Sequence, residues 1–78
     1  MRLTDLKAGE KARFVDVSGG WGIKNRVEAM GLRPGVLLTK SSGLLFRGPV
    51  VLRVGSTAIA VGYGLARRMI VERVEEEV

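Results

Sequence analysis

The 78-residue sequence contains no cysteine and no histidine. The first absence excludes disulfides, and the two together exclude any thiolate or imidazole metal site. They also remove the side chains that most often serve as nucleophile and general base. The remaining acids of the body, Asp5, Glu10, Asp16 and Glu28, are scattered and form no nucleophile–base pair. A hard cation needs several converging carboxylates, and the densest acidic group, Glu75-Glu76-Glu77, is a terminal charge run. The sequence therefore reads as non-enzymatic, with no cofactor, no metal and no small-molecule substrate.

Long apolar runs are lacking too. Val36-Leu37-Leu38 and Leu44-Leu45-Phe46 fall far short of a membrane span, and the opening Met1-Arg2-Leu3-Thr4-Asp5 has no apolar stretch of the kind a secretory signal carries. The expectation is a cytoplasmic protein that does not itself span a membrane. Aromatic residues number four, Phe14, Trp21, Phe46 and Tyr63, spread along the chain with no two on one strand. That is thin material for stacking the bases of single-stranded nucleic acid. The single Asn, the absence of Gln and the excess of Arg over Lys fit a thermophile.

What is present is enough for one small globular domain. The hydrophobic fraction is 46%, and a chain this short buries only roughly 60% of the surface its unfolded form exposes, so the core is thin. Charge is unevenly placed. Residues 1–71 hold twelve Lys/Arg against four Asp/Glu, whereas residues 72–78 hold four Glu against Arg73 alone. Residues 1–74 read as the domain and 75–78 as an acidic tail. A basic body suits either a solvated surface or an acidic partner, nucleic acid and anionic lipid included.

The chain reads as short strands separated by turns. Leu3 and Leu6 belong to a lead-in that ends at Ala8-Gly9. Lys11 to Val17 is a strand, Ser18 to Gly22 a loop, and Ile23, Val27 and Met30 share one face of a short helix. Gly31 after Met30 is placed for a left-handed residue, with Leu32 folding back on the last turn, a Schellman-type stop. Pro34-Gly35 fits the centre of a type II turn. Strands follow at Val36–Ser41 and Pro49–Val54, with a loop between them at 42–48. Gly55-Ser56 makes a hairpin turn into Thr57–Val61. One helical turn at Leu65–Arg68 then leads to a last strand, Met69–Arg73. Five strands and one short helix predict a mainly β fold, a small barrel or half-open sandwich.

Two motifs fail as sites. Gly19-Gly20-Trp21-Gly22 sits between strand and helix, where phosphate-binding loops lie, but no Gly-Lys pair follows and position 25 is Asn rather than Gly. It reads as a turn with Trp21 as a lid over one barrel end. Gly62-Tyr63-Gly64 fails the same way and reads as a tight corner. The loop Leu44-Leu45-Phe46-Arg47 is different. Three large apolar residues with Gly on both sides depart from the polar composition expected of a loop. Either the loop closes the barrel, or Leu44, Phe46 and Arg47 form part of a contact with a protein partner.

Several segments together resemble the ferrous iron transport protein A family. Leu3-Thr4-Asp5-Leu6-Lys7-Ala8-Gly9-Glu10 is similar to its opening, and Glu28-Ala29-Met30-Gly31-Leu32-Arg33-Pro34-Gly35 to its most recognisable segment. Gly48-Pro49-Val50, Ile59-Ala60-Val61-Gly62, Leu65-Ala66 and Met69-Ile70-Val71 follow in the family's order. The resemblance implies an SH3-like barrel. It also implies a cytoplasmic accessory protein acting with ferrous iron transport protein B, a membrane GTPase that carries Fe(II), and no catalytic residues. The alternatives are a basic RNA-binding barrel and an SH3-like domain related to the C-terminal part of iron-dependent repressors, whose helical DNA-binding region has no counterpart in this sequence. Self-association stays open.

Overall fold

The computed structural model describes residues 1–42 and 48–75. After a short 3-10 turn at Leu3–Asp5, the chain forms β1 (Lys11–Val17), α1 (Trp21–Ala29), β2 (Leu37–Ser42), β3 (Val50–Val54), β4 (Thr57–Val61), α2 (Tyr63–Ala66) and β5 (Met69–Val74). The five strands make one antiparallel sheet in the order β4-β3-β2-β1-β5. The outer edge of β5 is covered by the N-terminus: Arg2 bridges Ile70, and the Val71 N–H donates to the Met1 carbonyl at 2.8 Å.

The sheet can curl because its ladders are interrupted. The β1–β5 register shifts between Phe14 and Asp16, and the β2–β3 register between Lys40 and Ser42. An extra residue in one strand bends it and steps its side chains to the other face. In β1 the step turns Val15 to solvent and lets Ala12, Phe14 and Val17 all face inward. With Leu38, Val50, Leu52, Val61, Met69 and Val71 they form one core under α1 and the lead-in.

The helix exit forms as its sequence predicts. Gly31 has φ +93°, its N–H donates to the Glu28 carbonyl at 2.9 Å, and the Leu32 N–H reaches the Val27 carbonyl at 3.2 Å. These are the two bonds of a Schellman motif, and Leu32 and Val27 are both buried beside it. Four residues later Gly35, also at φ +93°, completes the type II turn closed by the bond from the Val36 N–H to the Arg33 carbonyl. The sequence thus turns from helix to strand within six residues. A Cβ on Gly31 would meet no atom within 4 Å, so a substitution there is penalised by backbone conformation alone. Gly31→Val is expected to cost about 1–2 kcal/mol, because a β-branched residue tolerates the left-handed region poorly. A thermal melt that is unchanged in this variant contradicts the assignment.

Besides shifts of a residue or two at the ends of α1, β2, β3 and β5, two details of this part of the fold differ from the sequence reading. The second helical turn begins at Tyr63, not Leu65, because Gly62 caps it: the Gly62 carbonyl accepts from the Leu65 and Ala66 N–H groups at 3.1 and 2.9 Å. The Gly-Tyr-Gly corner is therefore the first turn of the helix rather than a break before it. The second difference is Lys40, which is 6% exposed and the one charged side chain buried among the described residues. Its Nζ donates to the Leu6 carbonyl, and its backbone exchanges bonds with Gly9 and Glu10. Lys40 therefore fastens the lead-in to the central strand.

Candidate interaction site

The residues singled out from the sequence, Leu44, Phe46 and Arg47, lie outside the described residues, as do tail residues 76–78. The structure shows what carries their loop. β2 and β3 flank it, paired antiparallel with Ser42 opposite Val51. The loop therefore joins two neighbouring strands of the sheet.

The described surface has three further features. An apolar cleft of about 240 Å³ runs between α1 and β1, lined by Phe14, Val17, Val27, Leu32 and Pro34 among others. At one end of β5 a second hollow is lined by Glu10, Lys11, Arg73 and Glu75. Its charges are paired: Arg73 Nη1 bonds Glu10 Oε2 at 2.8 Å, and Arg73 Nη2 bonds Glu75 Oε1 at 3.3 Å. The Lys7 backbone N–H and, after it, the Arg73 guanidinium hold the Glu10 carboxyl below its usual range. The group's contribution to stability is thus present above the ordinary carboxylate pKa and lost as the pH falls through the lowered one.

The opposite end of β5 has a different electrostatic character. Two adjoining hollows share Arg67 and Arg68; one is completed by Ile23, Arg26, Tyr63 and Leu65, the other by Arg2, Ser18 and Ile70. None of the residues lining either hollow is acidic. The fold assembles this end by joining the end of β1 to the start of β5 through the bond from the Ser18 N–H to the Arg68 carbonyl at 2.9 Å. Nothing in the sequence reading placed these arginines together, because positions 2, 26, 67 and 68 meet only through the sheet order. The adjacent Arg67-Arg68 pair was the one visible signal.

Trp21 corrects an expectation. It is not a lid: it is 80% exposed, at the first position of α1. Helical geometry accounts for this. At about 100° per residue, Ile23, Val27 and Met30 cluster roughly 180–240° around the axis from Trp21. Once those three face the core, Trp21 must face away.

Among the described residues no three Asp or Glu side chains come together as a metal site, and no helix is long and apolar enough to cross a membrane.

Comparison with known proteins places this geometry. The FeoA domain profile matches residues 1–73. A crystal structure of an iron uptake regulatory protein, FeoA, superposes with a TM-score of 0.87 at 30% identity, covering 95% of this chain and 97% of that one. FeoA of Stenotrophomonas maltophilia, an SH3-domain protein solved with zinc, superposes with a TM-score of 0.77 at 24% identity over 92% of this chain and 89% of that one. A manganese-dependent transcriptional repressor shares the fold at 15% identity and a TM-score of 0.85, but this chain spans only 41% of it. No curated protein matches the sequence. The five-stranded SH3-like barrel expected from the sequence is the fold observed. With the family's profile running from Met1 through Arg73, across every element of the sheet but the last residue of β5, the chain belongs to the FeoA domain family.

Proposed function

We propose that this protein is a non-enzymatic accessory protein of ferrous iron transport that works in the cytoplasm. In this reading it binds the cytoplasmic part of the membrane GTPase that carries Fe(II), ferrous iron transport protein B. The observation that carries the reading is family membership over nearly the whole chain, together with 30% identity to an iron uptake regulatory protein of almost the same length. The relative from Stenotrophomonas maltophilia is itself described as a candidate activating factor for bacterial ferrous iron transport. The side-chain repertoire agrees with a binding role, since the sequence has neither His nor Cys.

The contact proposed is the loop carrying Leu44, Phe46 and Arg47, an apolar anchor beside an arginine. The test is a pull-down from native membranes with the wild-type chain and with the double variant Leu44→Ser, Phe46→Ser. The expected result is capture of the transporter, identified by mass spectrometry, by the wild type. The variant should capture little while its stability changes by under about 1 kcal/mol, as for surface substitutions generally. If the loop is core instead, losing the Phe alone should cost about 3 kcal/mol or more. A large loss of stability with capture preserved in the folded fraction ends the interface assignment.

A further inference from the structure

We propose that the arginine-rich end of the barrel is a docking surface for an anionic membrane. The charge layout is the first support. Arg2, Arg26, Arg67 and Arg68 are all exposed and come from three places in the chain onto two adjoining hollows without an acidic lining residue. The acids nearest in sequence are engaged locally: Asp5 accepts from the Arg2 backbone N–H at 2.8 Å, and Glu28 pairs with Arg33 at 3.6 Å. Elsewhere on the described surface Lys24 stands beside Asp16, Arg33 beside Glu28 and Arg73 beside Glu10, while Arg13 bonds the Gly35 carbonyl.

The second support is what lies between the cations. Ile70 is 39% exposed, and Ile23, Leu65 and Tyr63 are half-buried. Arginines interleaved with aliphatic side chains suit the headgroup layer, where guanidiniums meet lipid phosphate. Single-stranded RNA would want stacked aromatics, and Tyr63 is the one aromatic lining these hollows. A groove-bound acidic peptide would want its cations in a line rather than spread over an end.

The third support is orientation. β5 leads from Arg67-Arg68 to Glu72 and Glu75, and six strand residues span about 20 Å. At the far end of β5 Arg73 and Lys11 offset Glu10 and Glu75, so a planar negative surface would attract the arginine end in preference. The ends of β2 and β3 that bear the loop assigned to the transporter lie past Lys11 and Val74, at the other end of the sheet from Val17 and Met69.

The test uses the full chain and vesicles, with no transporter present, so its outcome and that of the transporter reading are independent. With vesicles containing phosphatidylglycerol at low salt, the chain is expected to co-sediment. With pure phosphatidylcholine it should not, and added salt should reverse the binding as exposed charges are screened. Each arginine removed is expected to weaken binding about fivefold, so Arg67→Ala with Arg68→Ala should lose about 25-fold. Arg2→Ala with Arg26→Ala removes charge from two other elements and should lose as much, giving a second reading should the first variant fold poorly. No binding to phosphatidylglycerol vesicles at low salt, equal binding to phosphatidylcholine, binding unchanged in both variants, or ready displacement from the vesicles by single-stranded RNA would each overturn the proposal.

Discussion

Replacing Leu38 with Ala is expected to destabilise the domain by about 2–5 kcal/mol, through lost apolar burial and the cavity left behind. Leu38 is fully buried and sits in β2, the middle strand of five, directly opposite Ala12 of β1. A small residue already faces it across the ladder, so little neighbouring volume is available to collapse into the gap. A domain of this length has roughly 4–12 kcal/mol in total, so the variant approaches complete unfolding at its lower bound. Each kcal/mol corresponds to about 4–8 °C in a domain of this size, and a melting temperature lowered by less than about 8 °C contradicts the placement of Leu38.

Lys40→Glu is expected to cost about 3 kcal/mol or more. The Lys40 side chain is buried with its Nζ donating to the Leu6 carbonyl. Glutamate would set one acceptor against another in a site with little access to water, and an uncompensated buried charge is among the largest single penalties known. Lys40→Met separates charge from packing. It keeps the length of the stem and leaves only the Leu6 carbonyl without its donor, a loss of about 1–3 kcal/mol at most. Urea unfolding of the two variants should therefore rank Glu well below Met. Equal midpoints would mean that Lys40 is solvated rather than fastening the lead-in.

These two positions also show what the sequence could reveal. Leu38 was legible as a strand residue in an apolar run. Lys40 was not legible as buried, although it lies two residues from Leu38 and so on the same face of the strand. A lysine in that register looks like a sign of exposure, and its partner, a backbone carbonyl from Leu6, leaves no mark in composition. β1 and β4 have the limits expected, and the exit from α1 follows its Gly and Pro positions residue by residue, because those features are local. The bulge that turns Val15 outward was hidden, since it depends on how β1 pairs with β5. Trp21 was misread because size suggested burial, while the helical phase set by Ile23, Val27 and Met30 pointed it outward. The basic end needed the topology itself: its arginines are up to 66 positions apart in the chain and meet because β1 and β5 are neighbours.

We propose that this FeoA-family chain binds the cytoplasmic part of the Fe(II)-transporting GTPase through an apolar contact. The most direct measurement is a titration of the isolated cytoplasmic part of that transporter with the purified chain at 50 and 200 mM salt. Saturable binding with closely similar affinity at both concentrations is the result the account predicts, because an apolar contact is little screened. Absence of binding to the transporter, with binding instead to RNA that falls steeply between the same two salt concentrations, is the result that would contradict it.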